Sequence, residues 1–163
     1  KWVEKPMHYI TDGDVENWPN YFKVRDEMNT CGNHVLSSWF YGLGSIYMYH
    51  KFKDINIITD RHLCSNYAWS GDDTNKIVYE TLLEVLGKPT LTVILYAPSE
   101  VIQNRMKKRD ANDSDLKKIN ISEKIYEKMI YFCELYKLPY LVVDTSKLNP
   151  EQIVDLVIKK LGE

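Results

Sequence analysis

The sequence predicts an α/β fold in which a doubly wound, mostly parallel sheet is flanked by helices. From residue 54 onward, short apolar runs rich in β-branched residues alternate with segments that repeat apolar residues at helical spacing. Near-continuous apolar runs are typical of parallel strands covered on both faces. Connecting helices of about 10 to 15 residues are typical of right-handed β-α-β units. At 163 residues, the chain fits one domain over residues 1–163.

The predicted strands are short apolar runs whose ends mark candidate functional positions. These runs cover residues 55–59, 91–96 and 140–143, and Trp2 and Val3 resemble the end of a further strand. In open α/β sheets, ligands bind beyond the carboxyl ends of the strands. The polar and charged residues at those ends are therefore of interest, namely Glu4-Lys5, Asp60-Arg61 and Asp144-Thr145.

Helical periodicity and capping signals predict the helices between these strands. The predicted helices cover residues 33–51, 73–86, 99–109 and 122–136. A last helix is predicted to begin at Pro150, because proline suits the first helical position and Asn149 can act as its N-cap.

The composition narrows the functional classes. A formal net charge of -2 gives no reason to expect binding to a nucleic-acid polymer. No apolar run approaches the roughly 18 residues needed to cross a bilayer, and the charged N-terminus is unlike a signal peptide, so no membrane partner is expected. The three scattered cysteines show neither metal-ligand spacing nor a paired framework, which favours a reducing cytoplasm.

The strongest chemical signal follows the strand at residues 55–59. Asp60 and Arg61 come directly after this strand, where the sheet is open. A carboxylate can hold a hydrated Mg²⁺, and a guanidinium can bind phosphate oxygens in a bidentate manner. For this pair alone, the alternative interpretation is a salt-bridged strand end that leads into a capped helix.

The residues after this pair resemble a motif of thymidylate kinases. The motif reads Asp-Arg-(Tyr or His), two variable residues, Ser-(Asn, Gly or Ser), one variable residue and then Ala-aromatic. The matching positions are Asp60, Arg61, His62, Ser65, Asn66, Ala68 and Trp69, and Ser70 also fits some members. The resemblance implies a P-loop-kinase fold that transfers the γ-phosphoryl group of ATP, with Mg²⁺, to a pyrimidine deoxynucleoside monophosphate, with dTMP as the first choice.

The resemblance also implies individual roles. Asp60 would lie near Mg²⁺, Arg61 would bind the acceptor phosphate, Asn66 would lie near the pyrimidine edge, and Trp69 would pack against the sugar. Phe40 resembles the base-stacking phenylalanine of the family, although a phenylalanine on an apolar helix is more often a core residue. The expected acceptor pocket contains Phe40, His62, Ser65, Asn66, Trp69 and Ser70.

A second cluster is basic and lies at the end of the helix over residues 99–109. Arg105 and Arg109 are four residues apart and share a helix face, so both can point at one anion. In P-loop kinases this position belongs to the lid, here about residues 105–118, whose arginines stabilise the phosphoryl group in transfer. Lys107 and Lys108 are candidates for binding ATP. The alternative is that these cations only complement the helix dipole.

The N-terminal segment resembles the second strand and following loop of thymidylate and deoxynucleoside kinases. In deoxynucleoside kinases a glutamate here acts as general base on the 5′-hydroxyl, so Glu4 is a catalytic candidate, although Lys5 separates it from Pro6. The sequence contains no Gly-x-x-x-x-Gly-Lys-(Ser/Thr) loop. We therefore expect the first strand and the P-loop, within roughly 30 residues, to precede Lys1.

One departure from the family pattern keeps other functions open. Thymidylate kinases usually place an arginine four residues after the stacking phenylalanine, and that position is Gly44 here. Losing this phosphate ligand raises the alternative of a deoxynucleoside kinase that acts on a 5′-hydroxyl, unless another cation such as Arg25 or Lys5 compensates. A third hypothesis is a catalytically inactive relative that serves as an interaction module. Thymidylate kinases commonly dimerise, so the resemblance is compatible with a homodimer.

Overall fold

The computed structural model describes residues 7–10 and 20–162. The chain divides into two compact units, Lys1–Lys88 and Pro89–Glu163, and each contains one pair of parallel strands. Helices and strands alternate along most of the described chain, in agreement with the predicted α/β class. The prediction of a single domain over residues 1–163 stays a prediction.

The first unit carries four helices around its strand pair within the part that the structure describes. Its elements are β1 (Met7–Ile10), α1 (Tyr21–Thr30), α2 (His34–Phe52), β2 (Asn56–Thr59), α3 (Leu63–Ser70) and α4 (Lys76–Leu86). β1 and β2 run parallel, with Ile10 opposite Thr59. The strand predicted at residues 55–59 is confirmed. The strand predicted to end at Trp2 and Val3 lies outside the described residues, and β1 was not predicted.

Local signals set the bounds of the long helix α2. Asn33 caps its N-terminus, because the Asn33 side-chain oxygen accepts a hydrogen bond from the Leu36 N–H at 3.1 Å. The helix packs against α3 and α4. A Cβ atom at Gly42 would lie 2.5 Å from Leu82 Cδ1, so glycine is what allows α2 and α4 to approach this closely. The core of this unit includes Leu63, Tyr67, Val78, Tyr79 and Leu82, all buried.

The second unit follows the predicted order of elements. It contains β3 (Thr92–Tyr96), α5 (Ser99–Arg109), a 3₁₀ helix (Ser114–Ile121), α6 (Ser122–Leu135), β4 (Tyr140–Asp144) and α7 (Pro150–Gly162). β3 and β4 run parallel, with Ile94 opposite Val142. The strands predicted at residues 91–96 and 140–143 are confirmed. The predicted lid region, about residues 105–118, contains the end of α5 and the start of the 3₁₀ helix.

The predicted cap of the last helix is confirmed in detail. The Gln152 N–H donates to Asn149 Oδ1 at 2.9 Å, and the Asn149 N–H donates to Gln152 Oε1 at 3.0 Å. This reciprocal pair satisfies two backbone donors at the start of α7. The core of the second unit is formed mainly by Ile94, Ala97, Phe132, Cys133, Leu138 and Val143.

Two further observations concern membrane-spanning helices and the exposure of the cysteines. Among the described residues, no helix is long and apolar enough to cross a membrane. The Cys31 thiol is exposed in the turn between α1 and α2, whereas the thiols of Cys64 and Cys133 are buried.

Candidate active site

The Asp60-Arg61 pair lies in the turn that joins β2 to α3. Both side chains are exposed, and they do not form an ion pair with each other. Arg61 has a φ of 72°, which is the left-handed conformation that residues other than glycine rarely adopt. The Thr59 hydroxyl donates to the Arg61 carbonyl oxygen at 2.8 Å. Both charged groups are therefore accessible from the solvent at the carboxyl end of a parallel strand.

His62 turns the chain from this pair into α3. Its backbone is extended, and its carbonyl oxygen accepts the Asn66 N–H at 3.0 Å, so α3 begins directly after it. Burial of the partly covered imidazole lowers the pKa of His62 to about 4. A neutral ring is therefore favoured near pH 7, and His62 adds no positive charge to the site.

Helix α3 separates buried residues from the candidate pocket residues. One face of α3 is buried within the first unit and carries Leu63, Cys64, Tyr67 and Ala68. The opposite face carries Ser65 and Asn66, which are half-buried, and Trp69, which remains 41% exposed. Ser70 is buried, and its carbonyl oxygen accepts a hydrogen bond from Asn75 Nδ2 at 2.7 Å. The helix therefore places three of its four pocket candidates on an accessible face and the fourth inside.

Asn66 belongs to a polar network that joins α2, α3 and the start of α4. Asn66 Nδ2 donates to the Ser38 carbonyl oxygen at 3.0 Å, and Asn66 Oδ1 accepts from the Tyr79 hydroxyl at 3.2 Å. The Ser38 and Tyr79 hydroxyls lie 2.8 Å apart, and Asn75 Nδ2 donates to Ser38 Oγ at 3.0 Å. An amide has two N–H groups and two lone-pair sites, so Asn66 retains one of each for another partner.

The direction of these hydrogen bonds follows from their donors. The Tyr79 proton is used on Asn66 Oδ1, so Ser38 Oγ must donate to the Tyr79 oxygen while it accepts from Asn75. Ser38, Asn75 and Tyr79 are each fully buried. The sequence did not predict this network, because its members come from positions 38, 66, 75 and 79 and only the folded chain brings them together.

Phe40 lies on α2 within an aromatic group. Its ring stacks on Tyr21 with centroids 5.6 Å apart and an interplanar angle of 23°, and it meets the edge of Tyr41 at 5.3 Å. Phe40 is half-buried. Four residues further on, a Cβ atom at Gly44 would meet no described atom within 4 Å beyond its chain neighbours and its own helix backbone. The described residues therefore leave room at the position where the resemblance would place an arginine.

In the second unit, the two arginines that were predicted to belong to a lid, Arg105 and Arg109, have protein partners. Arg105 donates to the hydroxyl of Thr145 at 2.8 Å and to its carbonyl oxygen at 2.7 Å. The Thr145 hydroxyl and N–H in turn donate to the Tyr96 carbonyl oxygen at 3.0 and 2.8 Å. Arg105 therefore lies at the carboxyl ends of β3 and β4, where ligands bind in α/β sheets. Sequence analysis had not assigned Thr145 this contact.

The remaining basic residues of the cluster are exposed at the end of α5. Arg109 forms an ion pair with Asp113. The backbone N–H of Asp115, followed by Arg109, lowers the pKa of the Asp113 carboxyl. Lys107 and Lys108 are exposed. The cluster can therefore present positive charge to an anion, but Asp113 competes for Arg109.

Two other acidic residues were predicted to lie at strand ends, namely Asp144 and Glu4. Asp144 is half-buried and accepts hydrogen bonds from the Ser146 N–H at 2.9 Å and hydroxyl at 2.6 Å, which lower its pKa. It is used in the local turn. Glu4 lies outside the described residues, so its predicted catalytic role stays a prediction.

The described residues form no dedicated cage for Mg²⁺. Among them, no three His, Cys, Asp or Glu side chains come together as a metal cluster. Mg²⁺ usually keeps several waters and uses one or two carboxylates with substrate phosphates. The exposed Asp60 at the end of β2 fits that requirement.

The parallel strands with charged groups at their carboxyl ends define an α/β protein. The solved structure of deoxyadenosine kinase from M. mycoides with bound dCTP aligns over 98% of this chain and 87% of its own, with a TM-score of 0.55 and 18% identity. At this identity the likeness shows the fold, and it confirms the predicted α/β class.

Sequence comparison identifies the family. A family model described as thymidylate kinase matches residues 45–157. The chain belongs to the thymidylate kinase family. The thymidylate kinase of Nautilia profundicola (strain ATCC BAA-1463 / DSM 18972 / AmH) is 29% identical over 111 residues, which cover 66% of this chain and 57% of that relative. The aligned region thus spans little more than half of the relative's length.

Proposed function

We propose that this protein is a phosphotransferase that moves the γ-phosphoryl group of ATP, with Mg²⁺, onto dTMP. The observation that carries this proposal is the exposed Asp60-Arg61 pair at the carboxyl end of β2. Membership of the thymidylate kinase family and the name of the Nautilia relative support the choice of reaction. The predicted cytoplasmic location and homodimer stay predictions.

Asp60 and Arg61 divide the charge neutralisation between them. Asp60 would hold the hydrated Mg²⁺ that accompanies ATP, and Arg61 would bind the acceptor phosphate. Phosphoryl transfer needs positioning and electrostatic stabilisation more than covalent catalysis by the protein. An exposed, unpaired acid–arginine arrangement is suited to that work, because neither side chain has to break an ion pair with the other before it binds substrate.

The acceptor pocket would use the accessible face of α3 and the aromatic group on α2. Trp69 offers a partly exposed ring for the sugar, and Phe40 offers a ring for stacking on the base. Ser65 and the remaining hydrogen-bonding capacity of Asn66 would meet the pyrimidine. His62 and Ser70 would support this pocket from partly or fully buried positions.

The basic cluster of the second unit would bind phosphate groups of ATP. Arg105 is held at the strand ends by Thr145, whereas Arg109 would exchange Asp113 for a phosphate oxygen. Lys107 and Lys108 would add exposed positive charge. Such cations act on charge that spreads over the transferred group in the transition state.

A deoxynucleoside kinase is the second candidate, and two observations favour it. Gly44 stands where a phosphate-binding arginine is usual in thymidylate kinases. The aligned structure is that of a deoxyadenosine kinase. In this alternative Glu4 would be the general base and a 5′-hydroxyl would be the acceptor.

A direct assay separates these candidates. The complete gene product is incubated with labelled ATP and either thymidine or dTMP, and the labelled products are separated. Formation of dTDP from dTMP supports the first choice. Phosphorylation of thymidine but not dTMP would overturn it in favour of the nucleoside kinase. Turnover of neither acceptor would favour an interaction module.

The role of Arg61 has its own test. Arg61→Ala should lower kcat/KM for dTMP by about 10²-fold or more, because charge on the transferred group loses a positioned cation. Lys159→Ala is the control, since Lys159 is an exposed cation in the last turn of α7 with no proposed contact to substrate, and this variant should leave turnover unchanged. Unchanged turnover in Arg61→Ala would reject the assigned role.

A further inference from the structure

The turn that contains Arg61 is held by β2 on one side and by α3 on the other. Among the described contacts, one side-chain hydrogen bond spans this turn. On one side, Thr59 ends β2 and lies opposite Ile10 of β1. On the other side, the His62 carbonyl oxygen accepts the Asn66 N–H, which is the first backbone hydrogen bond of α3, and Leu63 is buried. Between them, the Thr59 hydroxyl donates to the Arg61 carbonyl oxygen at 2.8 Å.

The left-handed backbone of Arg61 makes this link important. With a φ of 72°, Arg61 occupies a conformation that costs free energy for any residue with a Cβ atom, and such conformations persist when surrounding contacts hold them. The carbonyl that Thr59 binds belongs to Arg61 itself, so its direction is set by the ψ angle of Arg61. A hydrogen bond to this oxygen therefore restricts the backbone from which the guanidinium projects.

We propose that Thr59 is a positioning residue, whose hydroxyl holds Arg61 in the left-handed conformation that directs its guanidinium toward the acceptor phosphate. This inference rests on the proposed function, in which Arg61 binds that phosphate. Thr59 acts through Arg61 and does not itself touch the substrate. A threonine is also simply a good strand residue, but valine would satisfy the strand equally well, so the hydroxyl is the group to test.

The substitutions isolate the hydroxyl. Thr59→Val keeps the branched shape and removes the donor, whereas Thr59→Ser keeps the donor. Thr81→Val is the matched control, because the Thr81 hydroxyl also donates to a backbone carbonyl, that of Ile77 at 2.8 Å, but on the exposed surface of α4. Each variant is made in the complete gene product, and its dissociation constants for dTMP and thymidine are measured by calorimetry.

The expected result is a loss confined to the phosphate. Thr59→Val should weaken dTMP binding by about tenfold, the change expected when one hydrogen bond is lost, and should leave thymidine binding unchanged. Thr59→Ser and Thr81→Val should bind both ligands as the wild type does. In an Arg61→Ala background, Thr59→Val should cause no further loss, because residues that act as one unit are not additive.

Other outcomes overturn the inference in distinguishable ways. Equal weakening of dTMP and thymidine by Thr59→Val, or a loss that adds to that of Arg61→Ala, would show that Thr59 acts on the fold in general. Normal dTMP binding in Thr59→Val while Arg61→Ala binds poorly would remove Thr59 alone. If Arg61→Ala binds dTMP normally, the role assigned to Arg61 fails and the role of Thr59 fails with it, whereas the proposed function itself is decided by the assay with dTMP and thymidine.

Discussion

Tyr79→Phe tests the polar network that ties Asn66 to its neighbours. The substitution removes one oxygen and keeps a ring whose centroid lies 5.0 Å from that of Tyr67 in an edge-on contact. Tyr79 is fully buried, so water cannot replace the lost partner. Ser38 Oγ then loses its acceptor at 2.8 Å, and Asn66 Oδ1 loses its donor at 3.2 Å.

The magnitude follows from these two lost contacts. A hydrogen bond contributes about 0.5–1.5 kcal/mol, and a buried group left without a partner costs about 1–3 kcal/mol. We therefore expect Tyr79→Phe to lower the free energy of unfolding by about 2–3 kcal/mol. For a chain of this size, each kcal/mol shifts Tm by roughly 2–4 °C, so calorimetry should show a decrease of about 4–12 °C.

A surface tyrosine supplies the control for this experiment. Tyr49 lies on α2 with 48% of its surface exposed, and Tyr49→Phe should change the free energy of unfolding by less than about 0.5 kcal/mol. Urea unfolding of both variants gives the comparison. If Tyr79→Phe is as stable as Tyr49→Phe, the hydroxyl contributes nothing net and the network does not hold the three helices together.

Two further predictions concern residues near the candidate site. Gly42→Ala should be less stable than Gly44→Ala by about 1–3 kcal/mol, which is the usual cost of overpacking. Both variants gain the helix propensity of alanine. Only the new Cβ atom at position 42 would collide with Leu82, whose Cδ1 would lie 2.5 Å away. The second prediction concerns His62, whose pKa is about 4 in the folded protein and 6.5 in its ordinary state. Because of this difference, the free energy of unfolding should fall by about 2 kcal/mol between pH 7.5 and pH 5. His62→Tyr should remove that part of the loss.

The sign of the pH effect follows from proton uptake. Between pH 6.5 and 4 the unfolded chain binds a proton at His62 that the folded chain does not, so unfolding is favoured as the pH falls. Urea titrations of both proteins at the two pH values test this. An identical pH dependence of stability in wild type and His62→Tyr would contradict the prediction for His62. Equal stability of Gly42→Ala and Gly44→Ala would contradict the close contact between α2 and α4.

Strands β2, β3 and β4 were predictable because each is a short apolar run whose type does not depend on distant residues. Helix α1 was not predictable, because none of its residues is buried and the side chain of its N-cap residue, Asn20, makes no capping hydrogen bond. Helix α4 begins at Lys76 rather than at Asp73 as predicted. The side chains of Asp72 and Asn75 bind nearby backbone N–H groups and hold a turn there.

The candidate site was predictable only where its chemistry is local. Asp60 and Arg61 could be located from sequence because the residue types and the strand before them are adjacent. The left-handed backbone of Arg61 could not, since it depends on the contact with Thr59. Asn66 binds Ser38, 28 residues away in the chain, and Arg105 binds Thr145, 40 residues away. Contacts between residues so far apart cannot be predicted from the periodicity of the sequence.

The placement of the cysteines gives the protein a natural labelling site. Cys31 is exposed, whereas Cys64 and Cys133 are buried, so a maleimide dye should react selectively at one position of the native chain. That position precedes Asn33, which caps the helix carrying Phe40. A fluorophore there would report on movements of this turn when nucleotides are added, without any engineered cysteine.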